Sequence, residues 1–252
     1  METPETEQII TQEVLEKNLS AIKARIKATC ERIGRDPSSV RLLPVSKTKS
    51  EKVLRMAYAA GVREFGENRV QEAQQKSEEM ADLTDARWCV IGHLQTNKAK
   101  YVARFAHEFQ ALDNLRVAEE LDRRLQQEER TLDVFVQVNS SNEPQKFGLP
   151  PEEVEEFIQQ LPQFPTLKVK GLMTLAEFSS SEERVRACFV RMRELQTKLQ
   201  ENLPDGISLN ELSMGMSGDF EIAIEEGSTV VRVGEAIFGK RGLPDSYYWP
   251  EK

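Results

Sequence analysis

Apolar and polar positions along this chain follow two periods. The first clear one begins at Thr11: Leu15, Leu19, Ile22, Ile26, Cys30 and Ile33 fall three or four residues apart and line one face of a helix. Gly34 ends that helix, and Asp36-Pro37 turns the chain. Residues 1–10 precede it as a polar, flexible tail. From residue 41 onward, short β-branched and aromatic runs alternate with helix-period runs. Strands are predicted at 41–45, 63–65, 88–91, 109–112, 133–138, 167–172, 208–212 and 230–233. Helices are predicted between and after them at 50–60, 70–80, 97–105, 115–129, 151–161, 182–202 and 220–226.

Such alternation implies parallel strands joined by right-handed crossovers. Eight strands in 252 residues predict an α/β fold, a single (β/α)8 TIM barrel with an extra N-terminal helix. No low-complexity linker divides residues 11–252, so they are read as one domain. The residues after Lys240-Arg241, with Tyr247, Tyr248 and Trp249, are expected to cap the barrel or lie on its surface.

Composition narrows the function classes. With 39% hydrophobic and 30% charged residues, the chain suits a soluble globular protein with one sizeable core. A formal net charge of −8 argues against a nucleic-acid binder and leans toward a monomer. The acidic helical runs 119–129 and 151–161 read as the solvated outer ring of the barrel rather than as docking faces. Cys30, Cys89 and Cys188 are too scattered for a disulfide framework or a metal knuckle, which suggests a reducing cytoplasm. His93 and His107 lack zinc-ligand spacing, so no metal is expected. No apolar run reaches the roughly 20 residues of a membrane helix, and METPETEQ is no secretory signal.

In such a barrel, functional groups sit where strands end and the following loops begin. The stretch RLLPVSKTK at 41–49 reads as a strand that ends in a lysine, with Leu43, Val45 and Lys47 on one face. Desolvation there would lower the lysine pKa toward the range where the free amine attacks a carbonyl. A lysine that snorkels to solvent is the simpler alternative. Other groups expected at the same rim are Glu67, Asn68, His93, Asn139, Met173 and Thr174. After the seventh and eighth strands, Ser213-Met214-Gly215-Met216-Ser217-Gly218-Asp219 and Gly234-Glu235-Ala236 form the two halves of an expected phosphate cup. An amine on strand one facing that cup points to a phosphorylated aldehyde, and pyridoxal 5′-phosphate fits. Arg232 shares a strand face with Gly234 and could reach the pyridine nitrogen. A permanent cation that only donates hydrogen bonds would keep that nitrogen unprotonated and weaken the ring as an electron sink.

The motifs VSKTK (45–49), FGENRVQE (65–72), WCVIGHLQTNK (88–98), KFGLPPEE (146–153), GLMTL (171–175), ELSMGMSGDFEIAI (211–224) and GSTVVRVGEAIFG (227–239) carry a resemblance. Taken in order over residues 41–239, they resemble the pyridoxal phosphate homeostasis protein family, itself similar to the N-terminal barrel domain of alanine racemase. The resemblance implies that Lys47 is the imine lysine and that Ser213, Met216, Ser217, Gly234 and Glu235 hold the phosphate. It matches Arg232 to the pyridine nitrogen, and Asn68 and His93 to the polar pocket wall. Glu235 stands where members carry Thr or Ser; its carboxylate must point away from the phosphate or weaken its binding.

The resemblance implies a pyridoxal phosphate carrier that buffers or delivers the cofactor, with little or no turnover of its own and with PLP-dependent apoenzymes as recipients. The alternative is an amino-acid racemase, which needs a second acid/base opposite Lys47. His93, Asn68 or a tail tyrosine would have to supply it, and none of the four tyrosines, Tyr58, Tyr101, Tyr247 and Tyr248, lies in a rim motif. A third reading is a lysine-imine aldolase with Lys170 as rival nucleophile, and a fourth is a protein-interaction module.

Overall fold

The period-two runs become eight strands: β1 Arg41–Pro44, β2 Glu64–Glu67, β3 Arg87–Val90, β4 Glu108–Leu112, β5 Leu132–Val138, β6 Leu167–Thr174, β7 Glu211–Ser213 and β8 Val230–Val233. The helices are α1 Gln12–Arg32, α2 Glu51–Ala59, α3 Val70–Glu79, α4 Ala99–Phe105, α5 Leu115–Gln127, α6 Val154–Gln160, α7 Glu182–Gln200, α8 Phe220–Glu225 and α9 Glu235–Phe238. They come from a computed structural model that describes residues 10–239. Most of the expected N-terminal tail, and the C-terminal stretch with Tyr247, Tyr248 and Trp249, lie outside the described residues.

All eight strands are parallel, in the order β1-β8-β7-β6-β5-β4-β3-β2. The last seam is nearly closed. β1 and β2 meet through one bridge, Val45 to Gly66, and the Ser46 N–H donates to the Gly66 carbonyl at 2.9 Å. Toward their starts the two strands diverge. A cavity of about 560 Å3 lies there, walled by Leu19 and Ile26 of α1 and by Leu42, Pro44 and Val62. This is the expected (β/α)8 barrel with its extra N-terminal helix. α1 buries Leu15, Leu19, Ile22, Ile26 and Cys30 against α8, α9 and α2, and Thr11 caps it by accepting from the Val14 N–H.

Three local outcomes differ from the periodicity reading. Residues 208–210 stay out of β7 because the Leu209 carbonyl accepts from the side chains of Gln196 and Gln200, not from a strand ladder. The segment 151–161 is helical in pieces: 3-10 turns, each with a proline in its first turn, flank α6. α9 is too short to leave a periodic pattern.

Side chains alternate across each strand. At the strand starts this gathers a charged floor. Arg41 pairs with Glu64 at 3.0 Å and Glu108 at 2.7 Å, and Lys170 lies 3.5 Å from Asp133. These residues and Glu211 line a cavity of about 410 Å3 at the end of the barrel opposite the rim. Lys170, the rival nucleophile, therefore faces away from the loops that follow the strands. Outside the barrel wall, Phe65 stacks on Trp88 with ring centroids 5.3 Å apart.

Gly171 in β6 has no room for a side chain: a Cβ there would lie 1.8 Å from the Glu211 carbonyl oxygen, on fixed backbone. Gly171→Ala is expected to pry β6 from β7 and cost at least about 1–3 kcal/mol, the range of overpacked cores. Urea unfolding measures it; an unchanged midpoint would refute the close approach.

Candidate functional site

The pairing of β1 with β8 builds the site. Leu43 lies opposite Arg232 and Pro44 opposite Val233, and the Val45 N–H donates to the Val233 carbonyl at 2.9 Å. The chain leading to Lys47 thus passes beside Gly234, nearly two hundred residues away in sequence, whose Cβ position lies 3.1 Å from the Val45 carbonyl oxygen. It does so differently from the strand reading. β1 ends at Pro44, which gives the ladder no N–H, and after the Val45 bridge the chain turns. Lys47 is half-buried in that turn, not on a buried strand face. Its neighbour Thr48 has φ +66°, a conformation that costs a non-glycine residue roughly 1–3 kcal/mol.

The turn is held from behind. The Ser46 hydroxyl donates to Glu67 Oε1 at 2.6 Å, and the Thr48 N–H donates to Glu72 Oε1 at 2.5 Å. Between the two carboxylates lies the buried ammonium of Lys76. Its three protons have three acceptors: Glu67 Oε1 at 2.7 Å, Glu72 Oε1 at 2.7 Å and the Ser46 carbonyl at 2.9 Å. Glu67, expected at the rim, belongs to this network instead. The alternation of β2 sends Phe65 and Glu67 to the outer face, beneath α3, while Glu64 joins the floor. Burial pushes the Glu67 carboxyl up to about 7, against the pull of the Lys76 ammonium. Its Oε2 has no hydrogen-bond partner among the described residues.

Arg232 is 3% exposed. Its Nη1 donates to Ser213 Oγ at 2.6 Å and its Nη2 to the Thr174 carbonyl at 2.7 Å. Desolvation lowers its pKa to about 10, opposed by Asp219 and Glu108, so it stays charged at neutral pH. Ser213, assigned by resemblance to the phosphate, is fully buried and occupied: it accepts from Arg232 and donates to Gln110 Oε1 at 2.7 Å. Gln110 Nε2 in turn donates to Glu108 Oε1 at 2.6 Å, and Glu108 accepts from Arg41. A continuous polar chain thus runs through the barrel from rim to floor.

The two loops expected to form the cup follow β7 and β8. Gly215 adopts φ +96°, and a Cβ there would lie 2.7 Å from that of Ala223. A Cβ on Gly234 would meet the Val45 carbonyl at 3.1 Å. The N–H groups of Ser217 and Gly218 have no hydrogen-bond partner among the described residues. Met216 is a poorer phosphate donor than expected, because its N–H is already given to Asp219 Oδ1 at 2.5 Å. Burial raises the Asp219 pKa, which the nearby Arg232 opposes. Glu235 is exposed at the first position of α9.

The opposite wall comes from the loops after β2 to β5. Half-buried Asn68 presses its carbonyl on Gly92, where a Cβ would come within 2.1 Å of it. The exposed His93 ring stacks on Phe147 at 3.9 Å and 10°. Asp113, which sequence reasoning missed, accepts from the Gly148 N–H at 3.0 Å, and burial raises its pKa. It is the first residue after β4, so the strand-end rule applied to 109–112 would have found it. No such rule reaches Gln110, Lys76 or Glu72, which act through other residues. Among the described residues, no group of three His, Cys, Asp or Glu side chains could hold a metal ion.

The fold is a single (β/α)8 barrel that carries a lysine in the turn after β1, a buried arginine on β8 and glycine-containing loops after β7 and β8. Residues 18–242 match the family described as alanine racemase, N-terminal domain. A pyridoxal phosphate homeostasis protein of Aquifex aeolicus is 41% identical over 225 residues, 89% of this chain and 97% of the relative. One from Pseudomonas aeruginosa is 40% identical over 91% of this chain and 98% of its own. The structure of PipY from Synechococcus elongatus with PLP bound superposes with a TM-score of 0.80 at 35% identity, covering 89% of this chain and all of that one. The chain belongs to the alanine racemase N-terminal domain family and, within it, to the pyridoxal phosphate homeostasis proteins.

Glu67 carries a pH prediction. Its folded pKa is raised from an ordinary 4.5 to about 7, so the folded state holds this proton more tightly than the unfolded chain. Its stabilising contribution is full below pH 4.5 and is lost as pH rises through 7. Glu67→Gln keeps an acceptor for Ser46 and removes that slope. Urea midpoints from pH 5 to 8 should fall more steeply for the unmodified protein; parallel profiles would refute the assignment.

Proposed function

We propose that this protein binds pyridoxal 5′-phosphate through Lys47 and serves intracellular homeostasis of the cofactor, buffering it or delivering it to PLP-dependent apoenzymes. The observation that carries the reading is the β1–β8 seam, which sets the Lys47 turn beside the buried Arg232 and the Gly234 end of the cup. The residues fit the group. Lys47 offers the amine, Arg232 a charged donor for the ring nitrogen, and Ser217 and Gly218 unpartnered amides for the phosphate. Gly215 and Gly234 let the two loops pack closely, on Ala223 and Phe220 and on the Val45 carbonyl. Asn68 and His93 stand on the pocket wall, and Ser213 serves by holding Arg232.

Pyridoxal phosphate supplies an electrophilic aldehyde and a ring that takes up electrons when its nitrogen is protonated. Arg232 is charged at neutral pH and can only donate, so it disfavours that protonation. Racemization would also need a second acid/base at the rim. Among the described residues, Tyr58 donates to Asp85, and Tyr101 lies on α4 beside Lys98 and Lys100, in the outer ring. The charge on Arg232 favours carriage without turnover, with the protein acting as a monomer. Phe147, Leu175, Phe178 and Met216 are exposed on the loops after β5, β6 and β7, where an apoenzyme would meet the mouth of the barrel.

Incubation with pyridoxal phosphate should give a visible absorbance band that Lys47→Ala abolishes; a band retained in that variant would place the covalent link elsewhere. Transfer to an apoenzyme should outpace release into buffer, and transfer no faster than release would remove delivery. Glu235→Thr should tighten cofactor binding about fivefold, because one like charge at contact range in water is worth about 1 kcal/mol. Equal dissociation constants by absorbance titration would show that the carboxylate points away.

A further inference from the structure

The network behind the Lys47 turn has no part in the reading above, yet its geometry is specific. Ser46 and Thr48 flank Lys47. The Ser46 N–H, hydroxyl and carbonyl are all engaged, by the Gly66 carbonyl, Glu67 and Lys76. The Thr48 N–H is engaged by Glu72. β2 and α3 thus grip the backbone on both sides of Lys47, and all three ammonium protons of Lys76 are spent on the grip. A buried ion cluster is a weak way to gain stability, since desolvation offsets the attraction. One that leaves Glu67 Oε2 unpartnered is weaker still. Its contacts converge on a turn in which Thr48 holds a left-handed conformation.

We infer that Lys76, with Glu67 and Glu72, is a positioning device that locks turn 46–48 so that the Lys47 amine is presented to the mouth of the barrel in one orientation. The inference rests on the reading of Lys47 as the cofactor anchor. The groups facing Lys76 are Glu67 from β2, Glu72 from its own helix and Ser46 from the turn. Ammonium and carboxylates hold one another, so removing either side releases the turn. None of the three residues needs to touch the cofactor.

The test compares Glu72→Ala, which frees the Thr48 N–H, with Glu72→Gln, which keeps an acceptor for it, and adds Lys76→Met. Competitive acetylation of cofactor-free protein across pH 6–10, with mass mapping, reads the Lys47 amine directly, with the exposed Lys168 as internal reference. Glu72→Ala and Lys76→Met should change the relative labelling rate of Lys47 at least about threefold, while Glu72→Gln stays near the unmodified protein. With pyridoxal phosphate, the same two variants should form the visible band at least about tenfold more slowly. Val62→Ala, a core change remote from the turn, controls for lost stability. The inference falls if Glu72→Ala labels like the unmodified protein across the pH range, or if Val62→Ala reproduces its effect at equal thermal destabilisation. The labelling needs no cofactor, so it decides the inference even if no band forms, which would count against the anchor reading alone.

Discussion

The seam between β1 and β8 is the constraint on which the site depends. In this barrel the first and last strands of the chain lie side by side and pair. Here the register of Leu43 with Arg232 and Pro44 with Val233 sets the height at which the Lys47 turn leaves the sheet relative to the cup. The seam with β2 is looser, a single bridge at Val45, and this leaves the turn after β1 less tied by strand pairing than its neighbours. Side chains make up the difference: Glu67, Glu72 and Lys76 supply the contacts that a longer ladder would have given.

A second consequence of closure is that polar groups enclosed by the barrel must satisfy one another. Arg232 could not remain charged at 3% exposure without acceptors, and it has Ser213 and the Thr174 carbonyl. Ser213 then needs an acceptor, which Gln110 provides, and Gln110 has Glu108, which Arg41 neutralises. The charge at the rim is thereby linked to the charge at the floor by partners that are each buried or half-buried. The arrangement favours one orientation of the guanidinium over tolerance to substitution.

The two ends of the barrel divide the labour. The floor is a cluster of opposed charges around Arg41, Glu64, Glu108 and Glu211. The rim carries an amine, a caged arginine, glycines and two amides, of Ser217 and Gly218, without a hydrogen-bond partner among the described residues. That contrast separates Lys170 from Lys47. Both are lysines near a barrel strand, but Lys170 lies beside Asp133 and lines the acidic cavity at the floor.

Much of this was legible before any coordinates. The two hydrophobic periods located all eight strands, the N-terminal helix and the loops that carry Lys47, Asn68, His93, Arg232 and Gly234, because periodicity and strand-end position are local properties. The motifs located the family. What stayed hidden were groups acting through others. The family resemblance matched Ser213 to the phosphate, and only the packed barrel shows its hydroxyl engaged by Arg232 and Gln110. Glu67 looked like a rim carboxylate, and the strand register turned it outward to Lys76. Sequence by itself determined which segments alternate, where their ends fall and which residue types the loops present. Tertiary structure alone decided which of those side chains meet, because closure brings together residues that no local spacing relates, and burial then forces each polar group to find a partner.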